Sequence, residues 1–355
     1  MNKPLHGGGV DRAMREFGLL REQIHDFSAS INPLGPPPQV LKALTAAIKR
    51  IGDYPELDAA SLSRELARFH ELPEGSLLPG SGSTELIYLL PRVFRPRRAL
   101  LIQPCFSEYA PALQQAGCRI DTLGLEPGEN FAFSVEQVLA AVQDETDLVL
   151  LANPGNPSGI GIEPQQLIAL AERLGNCRLL IDEAFADFCP ERSLLNLVPQ
   201  LSNLLILRSL TKFYAIPGLR VGYLVGPLPD VTQLASAREP WAISNLAIAA
   251  AKACLTADVY RQQTLRQLPR LRADLRQGLE ALGIKVFPGE ANYLLGRLPE
   301  VFPDAEELAT VLRREGLLIR NCADFVPLDK RFLRVAVLAE NANLKLLERL
   351  RTIPG

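Results

Sequence analysis

Between residues 99 and 225, short and almost wholly apolar runs alternate with longer runs whose apolar residues recur every three or four positions. No other feature of the chain limits its fold as much. The runs at 99–103, 119–123, 148–152, 179–181, 204–207 and 221–225 are of strand length, several of them nearly all-apolar. A strand that is apolar on both faces must be covered on both faces, the condition of a parallel sheet with helices on each side. The runs between them, at 83–93, 108–117, 134–142, 164–174 and 194–201, read as helices, the fourth with Glu163 and Pro164 marking its start. Repeated βαβ units therefore predict an α/β lobe with a mainly parallel central sheet.

After Arg238 the pattern changes. A long helical stretch at 245–282 is followed by strand-like pieces at 285–287, 293–296, 317–320 and 332–337, with helical runs at 304–315 and 342–351. That is an α+β arrangement, and a chain of 355 residues exceeds what one hydrophobic core usually supports. The expected division is a large domain at 45–240 and a small domain built from 1–44 and 241–355. Pro36-Pro37-Pro38 allows a helix to start in the first of these small-domain pieces, because a first turn has spare amide positions.

Composition removes several functional classes. Lys and Arg number 38 against 40 Asp and Glu, a formal net charge of −2, so nothing marks a partner with a polyanionic backbone or an anionic membrane surface. The densest basic run, Arg92 to Arg98, is interrupted by Pro96 and reads as a solvated loop. Cys105, Cys118, Cys177, Cys189, Cys254 and Cys322 stand far apart with no Cys-x-x-Cys pair, which points to reduced thiols and to neither a metal site nor a disulfide scaffold. Residues 1–10 hold a histidine and three glycines where a signal peptide needs an apolar run, and no segment reaches membrane-span length. A soluble, cytoplasmic protein is expected.

Four stretches carry chemistry. Ser209-Leu210-Thr211-Lys212 follows an apolar strand and leads to Arg220, giving an amine for an aldehyde and a cation for a phosphate. Leu179-Leu180-Ile181-Asp182 places a carboxylate at the carboxyl end of a strand, the edge at which open α/β sheets bind ligands; such an Asp also serves as a helix cap. Asn153-Pro154-Gly155-Asn156-Pro157 ends another strand in a turn, since the residue before a proline is pushed out of helical conformation. Gly80-Ser81-Gly82-Ser83-Thr84 opens a helix, and amides at a helix start attract phosphate.

In this order the four stretches resemble the fold-type I, aspartate aminotransferase superfamily of pyridoxal-5′-phosphate (PLP) enzymes, over nearly the whole chain. The resemblance implies a fold-type I PLP-dependent transferase fold, with a large domain around a mainly parallel sheet and a smaller α+β domain. It implies that Lys212 forms the Schiff base, that Asp182 pairs with the ring nitrogen and that Asn156 bonds the ring hydroxyl. Gly82, Ser83, Ser209 and Arg220 would hold the phosphate, with Thr84 and Thr211 among the cofactor contacts, and Phe106 would stack on the ring. Tyr54, in Asp53-Tyr54-Pro55, looks like the tyrosine that reaches the phosphate of a neighbouring subunit, which implies a homodimer with shared active sites.

Within the superfamily the chain resembles the threonine-phosphate decarboxylases of cobalamin biosynthesis, relatives of the histidinol-phosphate aminotransferases. His6-Gly7-Gly8 is similar to the opening that meets the substrate phosphate. Phe27-Ser28-Ala29-Ser30-Ile31-Asn32-Pro33-Leu34-Gly35 is similar to a segment that places Asn32 near the substrate carboxylate, with Ser30 where asparagine is usual. Phe185 stands where aminotransferases carry a tyrosine. Arg334 matches the arginine that grips an α-carboxylate in two-pronged fashion, and Arg320 the one that grips a substrate phosphate. The implied reaction is decarboxylation of O-phospho-L-threonine to (R)-1-amino-2-propanol O-phosphate and carbon dioxide. The alternative is a histidinol-phosphate or related PLP aminotransferase. The same residues serve both, so the sequence leaves the partition open.

Overall fold

The computed structural model describes residues 7–353. Its strands, in chain order, are His25–Asp26 (β1), Leu77–Gly80 (β2), Arg98–Gln103 (β3), Arg119–Gly124 (β4), Thr146–Ala152 (β5), Arg178–Asp182 (β6) and Leu204–Ser209 (β7). Gly222–Val225 (β8), Lys285–Val286 (β9), Tyr293–Arg297 (β10), Leu317–Leu318 (β11), Arg320–Asn321 (β12) and Phe332–Ala336 (β13) follow. Seven of them form one sheet in the order β2-β8-β7-β6-β5-β3-β4. Strands β3 to β7 are parallel to their neighbours in that group, while β8 runs antiparallel to both β7 and β2.

The apolar strands are covered on both sides, as their composition demands. Val149, Ile181 and Ile206 pack on one face with the helices Ala60–His70, Pro164–Leu174 and Asn245–Leu255. Leu150, Leu180, Leu205 and Leu207 pack on the other with Ser83–Phe94, Tyr109–Gln115 and Leu228–Ala237. Each fully buried side chain of this kind contributes about 1.5–3 kcal/mol. Because side chains alternate along a strand, the last residues of β5, β6 and β7 (Ala152, Asp182 and Ser209) all point to the face of Leu150, Leu180 and Leu207. Arg208 falls on the opposite face. The order reverses around β3, which is flanked by β4 and β5, and the crevice beyond the strands' carboxyl ends at such a reversal is where ligands bind.

A four-stranded antiparallel sheet, β12-β13-β10-β9, carries the C-terminal part of the chain. Strand β1 pairs in parallel with β11, which ties the N-terminal segment to this part. The helix Pro38–Ala47 packs against Asn245–Leu255, so residue 45, where the sequence suggests a boundary, lies inside a helix.

Several elements differ from the sequence reading. The stretch 245–282 is two helices, Asn245–Leu255 and Asp258–Glu280. Thr256 and Ala257 close the first in a tight turn, both their backbone amides and the Thr256 hydroxyl bonding carbonyls three residues back. The run at 194–201 is a 3-10 segment, Leu195–Gln200, in which Pro199 lacks an amide to continue a helix. Strand β2 went unread because Pro79 and Gly80 disguise it; an edge strand tolerates both. The stretch 317–320 divides at Ile319 between two sheets. Of the basic run, Arg92 sits in the helix Ser83–Phe94, and Arg98 begins β3 with a 2.8 Å ion pair to Asp121, so only its centre is a loop. All six cysteines are buried and unpaired. Among the described residues, no helix is long and apolar enough to cross a membrane and no cluster could hold a metal ion.

Candidate active site

A cavity of about 240 Å³ opens beyond the carboxyl ends of β5, β6 and β7. Its floor is Lys212, on the four-residue helical turn Leu210–Phe213 that follows β7 directly. Burial, together with the guanidinium groups of Arg334 and Arg220, pushes the Lys212 amine down to about 8, against the opposing pull of Asp182. A neutral amine is the form that attacks a carbonyl, so this environment favours covalent chemistry near neutral pH.

Asp182 is 7% exposed. Its Oδ2 accepts from the Tyr109 hydroxyl at 2.6 Å and its Oδ1 from the Ala184 amide at 2.9 Å. Burial raises its pKa, partly offset by the Tyr109 and Ala184 hydrogen bonds and by Lys212. A cation placed against this carboxylate would reverse that shift, because opposite charges stabilise each other most in a desolvated site.

One end of the cavity is an anion cradle. Gly82 precedes the helix Ser83–Phe94 with φ at +80°, and a Cβ there would stand 2.6 Å from Arg220 Nη2. Gly222 is equally constrained: its Cβ would meet Arg208 O at 2.7 Å and Ser83 N at 2.8 Å. Glycine at these two positions lets a guanidinium and a helix start converge. Ser83, Thr84, Ser209 and Thr211 line the same end, the last two with their hydroxyls 2.8 Å apart.

The other end is cationic. Arg334, on β13 and 7% exposed, donates from Nη1 to Asn156 Oδ1 at 2.5 Å and from Nη2 to Ser28 O at 2.9 Å. Its Nε is buried and has no hydrogen-bond partner among the described residues. Arg320, on β12, donates from Nη2 to Asp324 Oδ2 at 2.7 Å and lies over the Phe325 ring. Two buried guanidinium groups in one cavity suit a dianion and a carboxylate.

The donor set fits pyridoxal phosphate: an anion cradle, an amine of lowered pKa and a buried carboxylate suited to a protonated pyridine. Asn156 completes it, since its oxygen is taken by Arg334 and its amide nitrogen remains to donate.

Of the residues singled out in the sequence, Gly7, Gly82, Ser83, Thr84, Phe106, Asn156 and Asp182 line this cavity, as do Ser209, Thr211, Lys212, Arg220, Arg320 and Arg334. Phe185 lines it too, edge-on to Tyr293 at 4.9 Å. Gly8 does not line it, although its amide bonds Ser28 Oγ. Asn32, expected near the substrate carboxylate, does not line the cavity. Its amide donates to Phe213 O at 2.8 Å and Thr264 Oγ1 at 2.9 Å, its oxygen accepts from the Leu34 amide, and its own amide N–H bonds Lys212 O. Those bonds fix the backbone beneath Lys212 and leave the side chain nothing to offer a substrate. Tyr54 is 81% exposed, stacked obliquely on Trp241 and outside the cavity. His6 lies outside the described residues.

Sequence reasoning missed Tyr109, Ser28 and the buried ion pair of Glu183 with Arg208, at 2.9 Å. Arg208 and Glu183 adjoin Ser209 and Asp182 on the opposite face, where strand alternation could have placed them. Nothing in the local sequence signals the Tyr109 contact, which joins residues 73 apart.

Residues 22–350 match the family described as aminotransferase class I and II. The chain belongs to this family. It is 38% identical over 357 residues to the threonine-phosphate decarboxylase of Salmonella typhimurium, an alignment covering 98% of this chain and 96% of that protein. The crystal structure of histidinol-phosphate aminotransferase from Clostridium acetobutylicum superposes with a TM-score of 0.85 at 30% identity, covering 92% of this family member and 97% of the other chain. L-threonine-O-3-phosphate decarboxylase from Porphyromonas gingivalis superposes with a TM-score of 0.82 at 26% identity, covering 92% and 98%.

Proposed function

We propose that this family member is a PLP-dependent carboxy-lyase. It converts O-phospho-L-threonine to (R)-1-amino-2-propanol O-phosphate and carbon dioxide, serving cobalamin side-chain synthesis. The observation that carries the reading is the pair of buried arginines, Arg320 and Arg334, facing the same cavity as Lys212 and Asp182. A phosphorylated amino acid has one dianion and one carboxylate to match them. The identity to the Salmonella decarboxylase supports the choice among such substrates.

When bound, pyridoxal phosphate supplies the electron sink for the bond broken at the substrate's Cα. Asp182 holds the positive charge on the ring nitrogen. Arg334 would bind the carboxylate and so orient the substrate's Cα for the loss of carbon dioxide. Arg320 binds the phosphate. Lys212 would hold the cofactor through its amine and would return a proton to Cα. Gly82, Ser83, Thr84, Ser209, Thr211 and Arg220 would hold the cofactor phosphate, Phe106 would cover the ring, and Asn156 would donate to the ring oxygen.

The chain works as a homodimer with shared sites. Tyr54 supports this: it stands exposed with Ile48, Ile51, Leu57 and Trp241, an apolar patch of the kind that marks subunit contacts. The large lobe at 45–240 carries the cofactor contacts, and the remainder carries the substrate arginines.

Incubating the PLP-loaded protein with O-phospho-L-threonine is expected to release one carbon dioxide per amine formed, with no 2-oxo acid. A histidinol-phosphate aminotransferase is the second reading, favoured by the superposition on the Clostridium enzyme. With histidinol phosphate and 2-oxoglutarate supplied instead, formation of glutamate without carbon dioxide would establish it.

A further inference from the structure

Residues 26–29 occupy an unusual position: they touch the N-terminal segment on one side and Arg334 on the other. Asp26 ends β1, held beside β11, and the Phe27 carbonyl accepts from the Ala336 amide at 2.8 Å, which fastens the segment to the end of β13. Asp26 Oδ1 accepts from the Ser28 amide at 2.9 Å, from the Ser28 hydroxyl at 2.5 Å and from the Ala29 amide at 3.3 Å. With its proton committed to Asp26, the Ser28 hydroxyl presents its oxygen outward, where it accepts from the Gly8 amide at 2.9 Å. The Ser28 carbonyl accepts from Arg334 Nη2, also at 2.9 Å. Gly7 packs so closely on that carbonyl that a Cβ would stand 2.1 Å from its oxygen. Gly7, Ser28 and Arg334 all line the cavity.

We propose that Asp26 and Ser28 are positioning residues that seat the Gly7–Gly8 strap on the cavity and Arg334 within it as one unit. The two faces of a single serine serve this purpose, its hydroxyl fixing the strap and its carbonyl fixing the carboxylate anchor. A displaced strap therefore loosens substrate binding without touching the amine that does the chemistry. Its kinetic consequence rests on the reaction proposed above; the seating itself does not.

The test compares Ser28→Ala, Asp26→Ala and Gly7→Ala with the wild type, all as full-length protein. Ser28→Ala removes the acceptor for Gly8 and keeps the carbonyl. Gly7→Ala dislodges the strap from the exposed side, leaving every side chain of the segment intact, so it guards against a folding defect. Losing one such hydrogen bond corresponds to about a three- to tenfold rise in KM for O-phospho-L-threonine, with kcat held within about twofold. Hydrogen exchange, measured without substrate, is expected to speed up at Gly8 in Ser28→Ala and Asp26→Ala. The double variant Ser28→Ala/Gly7→Ala is expected to raise KM no further than the larger single change, since both displace the same strap through neighbouring contacts. Unchanged exchange at Gly8 overturns the proposal, as does a fall in kcat at unaltered KM. If the wild type releases no carbon dioxide, the proposed reaction fails, whereas the exchange comparison still decides whether Asp26 and Ser28 seat the strap.

Discussion

The two ends of the cavity are built on different principles. The cofactor end is assembled from the closing residues of adjacent parallel strands: Asp182 from β6, Ser209 from β7 and Lys212 one turn later, with the helix start at Ser83 wedged against Gly222. The substrate end draws on Ser28, Asn156, Arg320 and Arg334, which come from the N-terminal segment, a turn of the large lobe and two strands of the smaller sheet. At the cofactor end burial displaces the pKa values of the carboxylate and the amine, against the opposing pull of each on the other. At the substrate end the arginines are already occupied by Asn156, Ser28 and Asp324. The cofactor end is thus preorganised by the sheet, while the substrate end must exchange protein partners for ligand ones. A scaffold held by strand ladders can carry the chemistry, whereas specificity resides where bonds are exchangeable.

The sharpest way to break this comparison is at Lys212. Lys212→Ala is expected to lower turnover at least about 10³-fold, the upper part of the range for a lost proton-transfer group, and to abolish the visible absorption of the PLP-loaded protein. A coloured, active variant would remove the amine from the mechanism. Arg334→Lys should follow with a rise in KM of about 10- to 100-fold, because an ammonium cannot reproduce the two-pronged geometry and a charged hydrogen bond is worth about 1.5–3 kcal/mol. If kcat falls and KM does not, Arg334 belongs with the cofactor end.

The pH dependence gives a third comparison, about tenfold per pH unit. With its folded pKa lowered from 10.5 to about 8, Lys212 is mostly neutral above pH 8, and the rate at which the cofactor-free protein takes up PLP should climb with pH and level off near 8. An inflection near 10 contradicts the desolvated environment. The linked stability effect has a definite sign: between about 8 and 10.5 the unfolded chain binds the proton that the folded one has lost, so this group makes the cofactor-free fold more stable as pH rises through that window. The smallest effect is expected from Asp324→Ala, which frees Arg320 from a partly exposed partner; KM for a phosphorylated substrate should change by no more than about threefold. A tenfold change would show that Asp324 sets the arginine's position and does not simply occupy it.

Much of this was legible in the sequence because the informative features are local. Apolar strands between amphipathic helices announce a covered parallel sheet, and residues at the carboxyl end of a strand must face the crevice, so Asp182, Asn156 and Lys212 follow from their neighbours in the chain. The edge strand at Leu77–Gly80 and the division at Ile319 escaped because each depends on partners far away in sequence, and the helix break at Thr256-Ala257 escaped because neither a glycine nor a proline marks that local turn. Asn32 shows the limit most clearly. Its motif places it near the site, but only packing decides that its amide turns inward to Phe213 and Thr264.

By itself the sequence determined the order of elements, the two-faced burial of the sheet and the identity of the chemical groups at its edge, since periodicity and strand alternation act over a few residues. The tertiary structure alone decided which groups meet: Tyr109 against Asp182, Ser28 between Gly8 and Arg334, and Arg334 on Asn156 across 178 residues. Hydrogen bonds and charges act over a few ångströms of space, and distance along the chain does not encode which residues folding brings that close.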